Sequence, residues 1–266
     1  DRNRTSPFAF TGNKFEFRML GSSASISGAN VVLNTAVAES LRRYADTLEQ
    51  ARDFESALHD LIREVIRSHK RIIFNGNGYD EAWLKEAERR GLSNLVSTPD
   101  CVPCYLDEKN VELFTRHRVY TPVELRARYE IKLSSYCKVL HIEAMTMLDM
   151  TQKDILPAVS AYARSLAEAA LAKRSLSDTM DVSFETGLAT KISRLTAELS
   201  SRTAALSASV ARAEAIDCSL DRAKFYRREV FEDMGRLRQT ADELETLCSS
   251  QYWPYPSYGD LLFSIK

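Results

Sequence analysis

Apolar residues recur at helical spacing almost without interruption over residues 121–248, and this pattern constrains the fold more than any other feature. Thr121, Pro122 and Glu124 are typical of a helix start, because threonine can cap the first turn, proline fits its first position and glutamate its third. Pro157 is expected to kink the long helix that follows, since proline lacks a backbone donor and crowds the preceding turn. These residues therefore predict a bundle of long helices.

Two helices of this bundle are predicted over residues 184–215 and 219–248, each with an apolar seam. The short turn between them indicates an antiparallel hairpin with coiled-coil-like packing. Arg202 and Arg227 interrupt the two seams. Such arginines either extend to solvent along their apolar stems or pair with acids such as Glu232.

Shorter helices are predicted before residue 121, over about 29–50, 53–69 and 80–91. The first is so apolar that we expect it to be buried over much of its circumference. Residues 92–106 contain two prolines and two cysteines and are predicted to form a loop.

Residues 14–18 alternate charged and apolar side chains, as a half-buried strand does. In a strand, Lys14, Glu16 and Arg18 share one face, with neighbours about 6.5–7 Å apart, while the phenylalanines between them face the other way. One carboxylate then lies between two cations that could share an anionic ligand. The alternative is an ordinary solvent-facing strand with alternating charges.

This strand follows Asn3-Arg4-Thr5-Ser6 and a short loop, and the combination resembles the glutamine synthetase signature, most closely that of the type III branch. The resemblance covers nearly the whole chain. It continues through residues 70–78, 141–144, 154–162 and 252–262.

The resemblance implies a mainly α chain with a small β portion, an α+β fragment of the family's catalytic barrel followed by the long-helix bundle. Residues 1–120 would be the C-terminal part of the catalytic domain, 121–248 the bundle with its hairpin, and 249–266 an aromatic, proline-rich tail. The family motif begins near residue 1, which is not a methionine. We therefore expect a piece of a longer protein.

The activity that the resemblance implies is ATP-dependent ligation of ammonia to glutamate, through γ-glutamyl phosphate. Glu16 would ligate Mg²⁺ or Mn²⁺, because a hard carboxylate oxygen suits a hard cation. Arg18 would bind glutamate or the transferring phosphoryl group, and Arg4 and Lys14 would contact the ATP phosphates. Arg18 and Arg4 are the candidate catalytic residues.

A single carboxylate does not hold two metal ions, so the remaining ligands are expected upstream of this chain and the fragment alone is expected to be inactive. The family also implies a ring-shaped homo-oligomer, by resemblance a dodecamer. The rival hypothesis is a non-catalytic helical scaffold or oligomerisation module, in which residues 14–18 are merely an exposed strand.

Charge, apolar runs and cysteines in the sequence argue against several other kinds of partner and site. The formal net charge is −1, which gives no reason to expect a nucleic-acid or anionic-membrane partner. No run of about 18 apolar residues and no secretory signal is present, so we expect a cytoplasmic protein. Cys101 and Cys104 could form a redox dithiol or half a zinc site, but their isolation favours two reduced thiols.

The histidines and the tail complete the sequence-based expectations. The four histidines have no metal-type spacing and are predicted to be structural; they are His59, His69, His117 and His141. Residues 252–258 hold four of the chain's aromatic residues and two prolines. They are expected to strap onto the protein's own surface, with insertion into a neighbouring subunit as the alternative.

Overall fold

The structure is a computed structural model of the 266-residue chain, and it describes residues 8–10, 15–17, 25–74 and 80–264. The chain divides into two compact units. The first unit is Asp1–Val96 with Pro103–Tyr129, and the second is Ser97–Val102 with Glu130–Lys266.

The first unit contains a two-stranded antiparallel sheet. Strand β1 (Phe8–Phe10) pairs with β2 (Phe15–Phe17), and Ala9 lies opposite Glu16 in the register. Each strand has three residues, fewer than the five or six that are usual in globular proteins. An isolated pair of this size is marginal by itself, so the first unit depends on its helices.

Three helices follow close to their predicted positions: α1 (Ser27–Glu49), α2 (Phe54–His69) and α3 (Glu81–Arg89). A single 3₁₀ turn, Lys70–Ile72, continues α2. Local chemistry explains the ends of α3. The Asp80 side chain accepts a hydrogen bond of 3.0 Å from the Ala82 amide, and Gly91 takes a positive φ of 69° just after the helix.

The prediction of a loop over residues 92–106 is wrong in part. A helical turn, α4 (Thr98–Cys101), is followed by a 3₁₀ segment, Val102–Leu106. Pro99 does not prevent this, because it lies in the first turn, where a backbone donor is not needed. The next helix is α5 (Glu108–Arg116).

The expectation that the first long helix is buried over much of its circumference is also wrong. The buried residues of α1 are Thr35 and Glu39, whereas Val32, Val37 and Leu41 are exposed. Helix α1 packs against α2 and α5. Its contact with α5 is polar, because Glu39 pairs with Arg116 at the end of that helix and with His117 directly after it.

The predicted α+β class, with a portion of a catalytic barrel, is contradicted: the described chain is mainly α. Its only described strands are β1 and β2, and they pair with each other and with no third strand. From residue 25 to residue 74, apolar residues recur every three or four positions, which favours helices over strands. A barrel would need strands paired on both edges.

The second unit is built from three long helical stretches. The first is α6 (Pro122–Met150), which belongs to this unit from Glu130 onward; it passes through one π-helical turn (Thr151–Ile155) and continues as α7 (Leu156–Leu176). The second is α8 (Ser183–Glu214). The third is α9 (Ser219–Phe225), a π-helical turn (Tyr226–Val230) and α10 (Phe231–Leu247).

Sequence signals account for the start of α6 and for the change at its end. The Thr121 amide donates to Glu124 Oε2 at 2.8 Å, and the Glu124 amide donates to Thr121 Oγ1 at 3.3 Å, so the predicted cap is confirmed. Pro157 lies two residues after the end of the first π-helical turn. Wider turns form where proline removes a backbone hydrogen bond and crowds the previous turn.

Cross-helix contacts fix the direction of the hairpin. Lys191 pairs with Glu243 at 3.0 Å, and the Ser209 hydroxyl donates to Asp233 at 2.5 Å. The partner number falls as the α8 number rises, so α8 and α10 run antiparallel. Their shared core contains fully buried side chains at the predicted seam positions, among them Ile192, Leu199, Leu206, Val230, Leu237 and Leu244.

The two seam arginines pair with acids at the edge of this core. Arg227 Nη1 lies 3.1 Å from Glu232 Oε1, the partner that the sequence indicated. Arg202 lies 2.5 Å from Glu198, one turn earlier on α8. Both arginines therefore keep their charged ends paired and partly exposed to solvent.

The first residues of the tail lie along the helices of the second unit. This confirms the prediction that the tail straps onto the protein's own surface. The Tyr255 hydroxyl donates to Asp154 Oδ2 at 2.9 Å, and the Tyr252 ring packs 5.2 Å from the Tyr162 ring, centroid to centroid. A short helix, α11 (Tyr258–Leu262), comes after the strap and leaves Tyr258 exposed.

Candidate functional site

The residues predicted to bind nucleotide, glutamate and metal lie mostly outside the described part of the chain. Arg4, Lys14 and Arg18 are not among the described residues. Glu16 is the middle residue of β2, and only its backbone pairing with Ala9 is described. The convergence of these four side chains therefore stays a prediction.

A buried carboxylate in the first unit gathers four cationic or polar partners. Glu39 is 7% exposed, and its oxygens lie 2.8 Å from Arg43 Nε, 2.7 Å from Arg116 Nη1 and 2.8 Å from His117 Nε2. Arg42 adds two longer hydrogen bonds of 3.1 and 3.2 Å. The hydrogen bonds from Arg42, then Arg43 and His117, hold the pKa of the Glu39 carboxyl well below its usual range.

This Glu39 cluster joins α1 to the end of α5. Both carboxylate oxygens are occupied, so Glu39 has little capacity left for a ligand. His117 belongs to the cluster and is structural, as predicted. Sequence reasoning missed the cluster because Glu39 and Arg116 are 77 residues apart. Only the spacing from Glu39 to Arg42 and Arg43 gave a local signal.

A groove in the second unit is the other candidate site. It lies where α6 passes the end of α8 and the start of the third helical stretch, and it encloses about 400 Å³. We call it the α6–α8 groove. Its walls include Lys138, His141, Ile142, Glu214, Arg222 and Tyr226. A neighbouring space of about 370 Å³ shares His141 and Glu214 with it.

The His141 ring lies between the Tyr226 hydroxyl and the Glu214 carboxylate of this groove. Its Nδ1 lies 3.1 Å from the Tyr226 hydroxyl, and its Nε2 lies 3.7 Å from Glu214 Oε1. Burial raises the pKa of the Tyr226 hydroxyl, so that group stays protonated near neutral pH. The arrangement therefore orients polar groups for binding and supplies no activated nucleophile.

Across the described segments, no three His, Cys, Asp or Glu side chains cluster so that they could hold a metal ion. In the part of the chain that the structure covers, every helix is too short or too polar to cross a membrane.

Comparison with known proteins gives these features a family context. Residues 57–174 match the model of the glutamine synthetase C-terminal domain. The chain is 37% identical to a glutamine synthetase of Butyrivibrio fibrisolvens, over 100% of the chain and 38% of that protein. It is 35% identical to a type-3 glutamine synthetase of Dictyostelium discoideum, over 99% of the chain and 37% of that protein.

A third relative, a glutamine synthetase of Bacteroides fragilis strain YCH46, is 31% identical over 99% of the chain and 37% of its own length. The chain thus spans less than two fifths of the length of each of these relatives. With a C-terminal domain match inside it and end-to-end similarity to a type-3 protein, this chain belongs to the glutamine synthetase family.

Proposed function

We propose that the intact protein containing this chain is a cytoplasmic glutamate–ammonia ligase. It would use ATP to convert glutamate to γ-glutamyl phosphate, from which ammonia displaces phosphate to give glutamine. The similarity of the whole chain to proteins named glutamine synthetase carries this proposal. The three-part division at residues 120 and 248, and a ring-shaped homo-oligomer such as a dodecamer, belong to the same proposal.

In this proposal the first 18 residues contribute part of the active site. Arg18 would bind glutamate or the transferring phosphoryl group, while Arg4 and Lys14 would contact the ATP phosphates. Glu16 would bind Mg²⁺ or Mn²⁺, and its carboxylate is the type of donor that these ions prefer. The bound ion would offset the negative charge of the phosphates. Pairing of β2 with β1 supports this role, because it fixes the backbone of Glu16 opposite Ala9.

The chain alone is expected to be inactive. Glu16 supplies one carboxylate, and the described segments hold no other cluster of metal ligands. The remaining ligands would come from the part of the intact protein that this chain does not include. Purified by itself, the chain should therefore form no glutamine in an ATP-coupled assay, and detectable turnover would contradict this expectation.

The decisive variant is Glu16→Ala in the intact protein. We expect ATP-dependent glutamine formation to fall about 100-fold or more, because a group that stabilises the reacting charge is lost. Glu64→Ala, an exposed acid on α2, is the matched control and should retain normal turnover. Unchanged turnover in Glu16→Ala would instead favour the non-catalytic helical scaffold.

A further inference from the structure

The α6–α8 groove presents charges of both signs that have few partners within the described chain. Lys138 has no acidic partner among the described residues. Arg222 uses Nε to donate to the Ile216 carbonyl at 2.7 Å, and the described residues offer its terminal nitrogens no acceptor. Glu214 has only the 3.7 Å contact with His141.

The floor of the groove is apolar and held in place. Tyr226 is buried and bound to His141, so neither ring is free to rotate away without losing that hydrogen bond. Ile142 stands beside them with an exposed apolar surface. An apolar floor with a few charged groups around it is typical of a small-molecule site.

We propose that the α6–α8 groove binds a small zwitterion with an apolar body. Its carboxylate would pair with Arg222 and Lys138, its protonated amine with Glu214, and its apolar part would cover Ile142. A ligand with only a negative charge would meet Glu214 unfavourably, and one with only a positive charge would meet Lys138 and Arg222. The charges of the groove are matched only when both are present on one molecule.

Three probes of the same shape test the requirement for both charges. L-leucine carries both, 4-methylpentanoate lacks the amine and 3-methylbutylamine lacks the carboxylate. Saturation-transfer difference NMR on the intact protein, without ATP, would give each dissociation constant from the methyl signals. We expect leucine to bind at least about fivefold more tightly than either analogue, since each solvent-accessible ion pair contributes modestly.

Two substitutions assign the charges to the two ends of the groove. Glu214→Gln should weaken leucine binding about fivefold and strengthen 4-methylpentanoate binding, because the repulsion between the two carboxylates is removed. Lys138→Gln should weaken the binding of leucine and of 4-methylpentanoate and strengthen the binding of 3-methylbutylamine, because a repelling cation is removed. Glu143→Gln, an exposed acid on α6 outside the groove, is the control and should change none of the three constants.

Specific results would overturn the zwitterion site. Equal affinity for leucine and 4-methylpentanoate would indicate a simple anion site. Absence of leucine binding, or leucine binding that neither Glu214→Gln nor Lys138→Gln alters, would mean that the groove is not the site. Glutamine formation measured on the same variants should be retained, so the test is independent of the proposed ligase activity.

Discussion

Helices α1 and α8 are both long, but α8 buries many of its apolar residues whereas α1 leaves several of its own exposed. Nine residues of α8 are buried, most of them apolar, whereas the two buried residues of α1 are a threonine and a glutamate. Helix α8 lies between α7 and α10, which cover it on two sides. Within its unit, α1 meets α2 and α5 over a much smaller surface. Neighbours, rather than the apolar content of a helix, decide what is buried.

The same contrast extends to the forces that hold each unit together. The second unit closes a continuous apolar core, to which α8 contributes fully buried leucines. In the first unit, α1 is joined to α5 by the Glu39 cluster. Apolar burial is insensitive to pH, whereas an ionic cluster is not. The two units should therefore respond differently to substitution and to acid.

The largest difference is expected between Leu199→Ala on α8 and Leu41→Ala on α1. Leu199 is fully buried, so its truncation should lower the free energy of unfolding by about 2–5 kcal/mol. Leu41 is 60% exposed, and its truncation should cost less than about 0.5 kcal/mol. Urea denaturation of both variants of this chain measures the difference.

Equal costs for the two leucines would break the comparison between the helices. They would mean that the apolar face of α1 is covered in the molecule that is measured. Both variants should also be measured in the intact protein. If Leu41→Ala lowers the free energy of unfolding more there than in this chain, another part of the intact protein covers Leu41.

A smaller, pH-dependent effect is expected for Glu39→Gln. The folded-state pKa of Glu39 lies below its unfolded value, so its contribution to stability is present above about pH 4.3 and declines as the pH falls below it. The variant should be less stable near neutral pH and should lose less stability on acidification than the unchanged chain. Urea denaturation at pH values above and below about 4.3 measures how the free energy of unfolding changes with pH, and Glu64→Gln is the control.

Parallel stability curves for Glu39→Gln and the unchanged chain would show that the Glu39 cluster does not hold the first unit together. An equally altered slope in Glu64→Gln would point to general acid effects instead. Either result would mean that the Glu39 cluster does not make the first unit more sensitive to acid than the second.

Local signals in the sequence were sufficient to place most of the longer helices, but not α4 or α5. Capping by Thr121 and Glu124, and the regular spacing of apolar residues, predicted the ends of most long helices to within about two residues. The predicted barrel portion came from the family resemblance, and it is wrong because the described strands β1 and β2 pair only with each other in a chain that is mainly α. Exposure of α1 could not be predicted, since it depends on which neighbours are present.

The candidate sites were harder to predict than the helices. Glu39 and Arg116 meet across 77 residues, and His141 and Tyr226 across 85, so no local pattern reveals either pair. The roles of Arg4, Lys14, Glu16 and Arg18 came from the resemblance to the family and stay predictions. What could be anticipated was the structural nature of His117 and the acidic partner of Arg227.

The smallest effect is expected at the strap of the second unit, where one polar contact adds to the apolar core. Tyr255→Phe removes the hydrogen bond to Asp154 and should cost about 1 kcal/mol or less. Burial, and then the Asp154 carboxylate, raise the pKa of Tyr255 to about 12. The protonated hydroxyl is favoured in the folded state, so its contribution is present below about pH 10 and declines as the pH rises above it.

Tyr258→Phe is the matched control for the strap, because Tyr258 is 85% exposed and has no described partner. The free energy of unfolding should differ between the two variants at about pH 8, and the difference should shrink at about pH 11 as unfolded tyrosines ionise. If the two variants behave alike at both values, the strap adds nothing to the second unit. The apolar core between α8 and its neighbours would then account for the stability of that unit by itself.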